Sequence, residues 1–181
     1  MNWIRSTSPF LITLLFAATL ACSNQQKAPD VTDTVRHALD QAGLNDVRVS
    51  QDRDKGVVTL SGNVNAEDDK ARAESIARSA AADQVVANEI GVRPKGDEGT
   101  ARKVDSDLDS GIEKNLDAAL VQHKLKDSVR YDVKNGVVTL KGKVPTTSQR
   151  TAVQKMAEQV PNVKEVVNEL DVRQQRATAS K

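Results

Sequence analysis

After position 16 this 181-residue chain carries a single aromatic side chain, Tyr131, because Trp3, Phe10 and Phe16 all lie at the start. So few rings leave no platform for stacked bases and no aromatic cage. One cysteine, Cys22, excludes an internal disulfide and any zinc motif built on paired thiols. His37 and His123 each fall on a separate helical stretch without a neighbouring ligand, so no metal centre is expected. No serine stands in a G-x-S-x-G context, and Asp52-Arg53-Asp54 has no glutamate at calcium-loop spacing. Gly56 and Gly62 are spread through a strand pattern, whereas a phosphate cradle needs them between a strand and a helix. The formal net charge is +1, and falls to zero if Arg5 is removed with the leading segment, which gives no bulk preference for nucleic acid. The expectation is a chain with no catalytic residue, no cofactor, no metal and no nucleic-acid partner.

Long hydrophobic runs are also missing. The most apolar stretch, Phe10 to Leu20, is too short to cross a bilayer as a helix. With Arg5 before it and Ala21 closing it, residues 1–21 read as an export signal. The segment resembles a bacterial lipoprotein signal, with Cys22 as the acylated first mature residue, although Thr19 stands where such signals usually carry Leu. That resemblance implies a periplasmic chain, anchored to the outer membrane where two membranes exist, since Ser23 and not Asp follows Cys22. The alternative is an ordinary cleaved signal that leaves a free thiol.

What the chain does have is a sentence written twice. Gly56-Val-Val-Thr-Leu-Ser-Gly-Asn-Val64 returns eighty residues later as Gly136-Val-Val-Thr-Leu-Lys-Gly-Lys-Val144, identical at seven of nine positions. Around each copy the same order of patterns recurs. In the first, Val31, Val35, Ala38, Leu39 and Ala42 are spaced as a helix before Gly43, and Val47 and Val49 alternate as a strand. The repeated stretch is a second strand with Val58, Leu60 and Val64 on one face and Thr59, Ser61 and Asn63 on the other. A second helix capped by Asn65 and a strand through Val86, Ile90 and Val92 follow. The second copy repeats this, with a capping box at Ser110 and Glu113, ahead of which Val104, Leu108 and Ile112 already keep helical spacing that would start the helix earlier, against Gly111; strand residues Val129, Tyr131 and Val133 and an Asn135-Gly136 hairpin turn follow. Thr146 and Gln149 then cap the helix of Val153 and Ala157, ahead of a last strand through Val166, Leu170 and Val172. The fold class is α+β, two tandem αββαβ units, each a small three-stranded sheet packed on two helices. Residues 22–29 read as a tether, 30–93 and 109–173 as the units, 94–108 as a linker and 174–181 as a polar tail.

The repeated stretch, with Val86-Ala-Asn-Glu-Ile90 and Val166-Val-Asn-Glu-Leu170 closing each unit, resembles the BON domain. Two copies behind an export signal resemble dual-BON outer-membrane lipoproteins and an osmotically inducible periplasmic protein. The resemblance implies no known catalysis, attachment to phospholipid membranes, and a part in envelope integrity and osmotic or stress survival. It casts Gly56, Val58, Leu60, Gly62, Gly136, Val138, Leu140 and Gly142 as architecture. The residues that change are more informative. Residues 30–93 hold 8 Lys/Arg against 12 Asp/Glu, and residues 108–173 hold 11 against 9. Arg130, Lys134, Lys141 and Lys143 project from the polar face of the second sheet and are the candidate contacts for an anionic phospholipid surface. A solubilising face is the plainer reading of the same four cations. An adaptor or chaperone-like module for envelope proteins is the alternative function.

Overall fold

The computed structural model describes residues 27–173; the residues read as an export signal, Cys22, most of the stretch read as a tether and the polar tail lie outside the described residues. The first unit runs α1 (Thr32–Gln41), β1 (Val47–Asp52), β2 (Val57–Val64), α2 (Glu67–Ala80), β3 (Val85–Asn88) and β4 (Gly91–Val92). The second runs α3 (Glu98–Gln122), β5 (Val129–Lys134), β6 (Val137–Val144), α4 (Thr147–Glu158) and β7 (Glu165–Val172). In each, the repeated stretch is the central strand. β2 is antiparallel to β1 and parallel to β3 and β4, and β6 is antiparallel to β5 and parallel to β7. The α+β arrangement expected from the patterns is therefore present twice.

Alternation along the central strand decides what is buried. Val58 and Leu60, and their counterparts Val138 and Leu140, are fully buried against the helices. α1 meets them with Val35 and Leu39, and α3 with Ile112, Leu116 and Leu120. The second helix of each unit presents small residues, Ala73 and Ala77 or Val153 and Ala157. Full burial of a Val or Leu contributes about 1.5–3 kcal/mol, so these few positions carry much of each thin core.

Local signals are honoured in part. Asn135 and Gly136 both take positive φ, 51° and 84°, as a type I′ turn demands. Thr146 Oγ1 accepts from Gln149 N at 3.1 Å and caps α4. Asn65, however, does not cap α2; the residue before that helix is Ala66, no side chain bonds there, and Glu67, Asp68 and Asp69 complement the helix dipole. Ser110 and Glu113 do not open a helix either, because α3 already runs from Glu98 through residues read as linker. Tertiary bonds outweigh its two glycines. Arg93 donates to Asp105 Oδ2 at 2.5 Å, and Asp109 accepts from Asn135 N and Gly136 N at 2.8 Å each.

A second repeated network ties the last strand to the second helix. Asn88 Nδ2 donates to Lys70 O and Glu74 Oε2, and Asn168 Nδ2 donates to Arg150 O and Gln154 Oε1. The two asparagines stand at equivalent positions, and so do their partners.

The outer faces of the two sheets meet. Val57, Ala87, Val137 and Val167 form one buried cluster, two equivalent positions from each copy, so the units are related by an approximate two-fold. Polar bonds border it. Asn135 Nδ2 donates to Glu89 O at 2.7 Å, Lys134 pairs with Glu89 at 3.2 Å, Lys55 pairs with Asp171, and Glu165 Oε2 accepts from Asn88 N at 3.2 Å. The expectation of an open polar sheet face is corrected here: Val57 and Val137 lie on that face, and Thr139 beside them is buried. Burial raises the Glu165 carboxyl above its usual range, a shift the Asn88 amide opposes and the Glu74 charge reinforces. Lys70, packed nearby, is lowered first by burial and then by the Lys164 charge.

A Cβ at Gly142 would lie 2.2 Å from Ser128 O, at a φ of 131°, whereas one at Gly111 meets nothing within 4 Å. Urea denaturation should find Gly142→Ala destabilised by about 2–4 kcal/mol and Gly111→Ala stabilised by about 1 kcal/mol. Equal effects of the two would contradict the close approach. For Glu165, a folded pKa above the ordinary 4.5 means its stabilising share is present at acid pH and lost as pH rises through the folded value. Glu165→Gln lacks that loss. Its stability relative to the parent should therefore improve between pH 4.5 and 7; a pH-independent difference would refute the desolvated carboxylate.

Candidate functional site

Of the four cations singled out in the sequence, three come together. Arg130 on β5 stands directly opposite Lys141 on β6, and Lys143 lies two residues further along the same face. All three are exposed, and with Lys55, Lys126 and Arg173 they line a groove of about 730 Å³ between the end of the second sheet and the tip of the first hairpin. A second groove of about 580 Å³ continues past Lys143 to Arg150 and Arg173. Lys134 is not part of this surface. It sits at the opposite end of β5, beside the turn, paired with Glu89 of the first unit.

Pairing sorts the charges further. Lys141 lies 3.7 Å from Glu169, whose side chain is 9% exposed, and Lys55 is held by Asp171. Among the described residues Arg130, Lys143 and Arg173 make no ion pair. The remaining residues, 1–26 and 174–181, contain no Asp or Glu that could supply one. Lys126 lies 5.6 Å from the centre of the Tyr131 ring and bonds Asp117. Hydrogen bonds from Lys126, then from Tyr131, hold the Asp117 carboxyl below its usual range; burial first, then Asp117, pushes the Tyr131 phenol up. Tyr131 O–H also donates to Glu113 O at 3.2 Å. The one aromatic of this part of the chain thus fastens β5 to α3.

The motif positions hold architecture. Val58, Leu60, Val138 and Leu140 are in the cores, Gly56 and Gly136 form the hairpin turns, and Gly62 and Gly142 admit the carbonyls of Asp46 and Ser128. Only Gly142 lines the cationic groove. Cys22, the expected lipidation site, lies outside the described residues. Arg150, Arg173 and Lys55 were not picked out by strand alternation, since they sit on a helix, after a strand and in a turn. A signal for Arg173 existed in the repeat: Arg93 is its counterpart, and both amides donate to the last central-strand carbonyl, at 2.7 Å to Val64 and 2.8 Å to Val144.

The chemistry available is attraction of an anion. Among the described residues no three His, Cys, Asp or Glu side chains are grouped to hold a metal ion. His37 is exposed with its Nε2 3.1 Å from Gln41 Nε2, and His123 ends α3. No described helix is long and apolar enough to cross a membrane. The groove sets six cations among four carboxylates, Asp52, Asp127, Glu169 and Asp171, of which Asp171 pairs with Lys55 and Glu169 with Lys141.

The family model of the BON domain matches the chain twice, over residues 28–94 and 108–174. No curated protein matches it. Solved structures similar to this chain include two of CdsD, a structural protein of the type III secretion system of Chlamydia trachomatis. One is 17% identical, covering 80% of this chain and 92% of that one with a TM-score of 0.32. The other, its C-terminal domain, is 14% identical, covering 81% and 99% with a TM-score of 0.33. BON domains are associated with phospholipid membranes and are generally non-catalytic. With both halves matched and both built as the same unit about a repeated central strand, this chain belongs to the BON-domain family and carries two of its domains in tandem.

Proposed function

We propose that the protein is a non-enzymatic envelope lipoprotein, exported and anchored through Cys22, whose second BON domain rests on anionic phospholipid and so supports envelope integrity under osmotic stress. One observation carries the reading: Arg130, Lys141 and Lys143 share a face of the second domain, and Arg130 and Lys143 have no acidic partner among the described residues. Each cation near an anionic surface is worth about 1 kcal/mol, enough for three to hold a domain that an acyl chain already keeps nearby. The pairing of Lys134 with Glu89 removes it from that role. The first domain, more acidic, faces away from such a surface in this reading.

Co-sedimentation of the mature chain with Cys22→Ser tests the lipid contact without the anchor. Binding should rise with the phosphatidylglycerol content of phosphatidylcholine vesicles and fall at least about tenfold in Lys141→Glu with Lys143→Glu. Binding indifferent to phosphatidylglycerol, or untouched by the double substitution, would sink the proposal. Mass spectrometry of the mature N-terminus tests the anchor separately: an acylated Cys22 is expected, and an unmodified terminus would remove it.

A further inference from the structure

The approximate two-fold makes each domain a template for the other, and at one place they differ in occupancy. At the end of the first sheet, Gly62, Asn63, Arg93 and the turn residue Asn135 line a cavity of about 440 Å³. The positions eighty residues away, Gly142, Lys143, Arg173 and Lys55, line the 730 Å³ groove at the end of the second sheet. These are the same site built twice. In the first domain the early part of α3 forms one wall, beside Arg48, Val133 and Lys134, and brings Asp105 and Asp109 one helical turn apart. Asp105 pairs with Arg93, whose side chain is 11% exposed, and Asp109 takes the two turn amides. In the second domain no such segment is present among the described residues, and Arg173 is exposed.

Residues 1–29 and 174–181 contain no Asp or Glu, so neither of these stretches offers an acidic segment for the second site. The site also differs chemically from its twin. Asp52 already accepts from the Lys55 amide, so an incoming carboxylate finds fewer turn amides than Asp109 does. In exchange, Lys143 replaces Asn63 and supplies a charge; of the groove's other carboxylates, Asp171 and Glu169 pair with Lys55 and Lys141, and Asp127 makes no ion pair among the described residues, which leaves Lys143 and Arg173 as unpaired cations.

We infer that the groove at the end of the second sheet is a docking site for an acidic helical segment of a partner protein, presenting two carboxylates one turn apart to Arg173 and Lys143. The chain's own α3 shows the geometry on the first domain. This goes beyond the lipid reading, and its anchors differ in part: all four cations line the one groove, but Arg173 enters only this inference, Arg130 and Lys141 only the lipid reading, and Lys143 both.

The mature chain with Cys22→Ser, isotopically labelled for amide NMR, would be titrated with a synthetic peptide of residues 98–113. Shifts are expected at the amides of Lys55, Lys143 and Arg173. Arg173→Glu with Lys143→Glu should weaken binding about tenfold or more, and so should a peptide carrying Asp105→Asn and Asp109→Asn. Both substituted side chains are exposed, and an unchanged melting temperature will verify the fold. Absence of shifts, or equal binding by the reversed variant or the neutral peptide, would overturn the inference. So would shifts at these amides with phosphatidylglycerol vesicles but not with peptide, an outcome that leaves the lipid proposal standing. Loss of vesicle binding in Lys141→Glu with peptide binding retained would separate the two surfaces.

Discussion

The central strand of each unit is apolar on both faces at Val57-Val58 and at Val137-Val138, and the remaining architecture answers that one constraint. Helices cover Val58 and Val138, which leaves Val57 and Val137 on the far side. One unit alone would leave that second valine, with Ala87 or Val167 beside it, against water. Packed together the four side chains are at most 4% exposed. Burial at this scale contributes about 1 kcal/mol or more per valine, appreciable for domains of roughly 65 residues whose cores are thin. The tandem arrangement is thus a packing solution as well as a duplication.

Much of this was legible because side-chain period and turn chemistry are local. Val58, Leu60, Val138 and Leu140 alternate, Asn135-Gly136 accepts positive φ, and Thr146 with Gln149 forms a cap within four residues. What escaped the sequence depends on distant partners. The spacing of Val104, Leu108 and Ile112 allows an early start of α3, but what secures it against Gly111 is Arg93 and the turn amides that hold Asp109, which no periodicity count contains. The outward valines were visible as the doubled Val-Val, yet alternation alone assigns one of the pair to solvent; only the second unit explains it. Lys134 shows the same limit at the candidate site, since its neighbour on the strand face is less decisive than Glu89 of the other unit.

The repeated asparagines show how identity between copies should be weighed. Asn88 and Asn168 bond a backbone carbonyl and a side chain of the second helix in the same way, with Glu74 in one and Gln154 in the other. Both partners accept from the amide, so the charge may differ while the bond remains. Identity marks the atom that the fold requires, and substitution marks atoms the fold leaves free for other use.

That distinction locates the functional asymmetry more closely than net charge does. The first domain is acidic overall, but many of its carboxylates have local duties: Asp33, Asp69 and Glu74 pair within helices, and Asp52 closes a turn. The second domain's excess of cations is concentrated where the sheet ends, at Lys143 and Arg173, positions held in the first by Asn63 and by an Arg93 already neutralised. A neutral residue and an ion-paired arginine make a closed joint between domains. A lysine and an exposed arginine without an ion pair on the same scaffold make a surface that still attracts an anion, and the difference between those two outcomes is set by an acidic helix that, among the described residues, only one of the twin sites possesses.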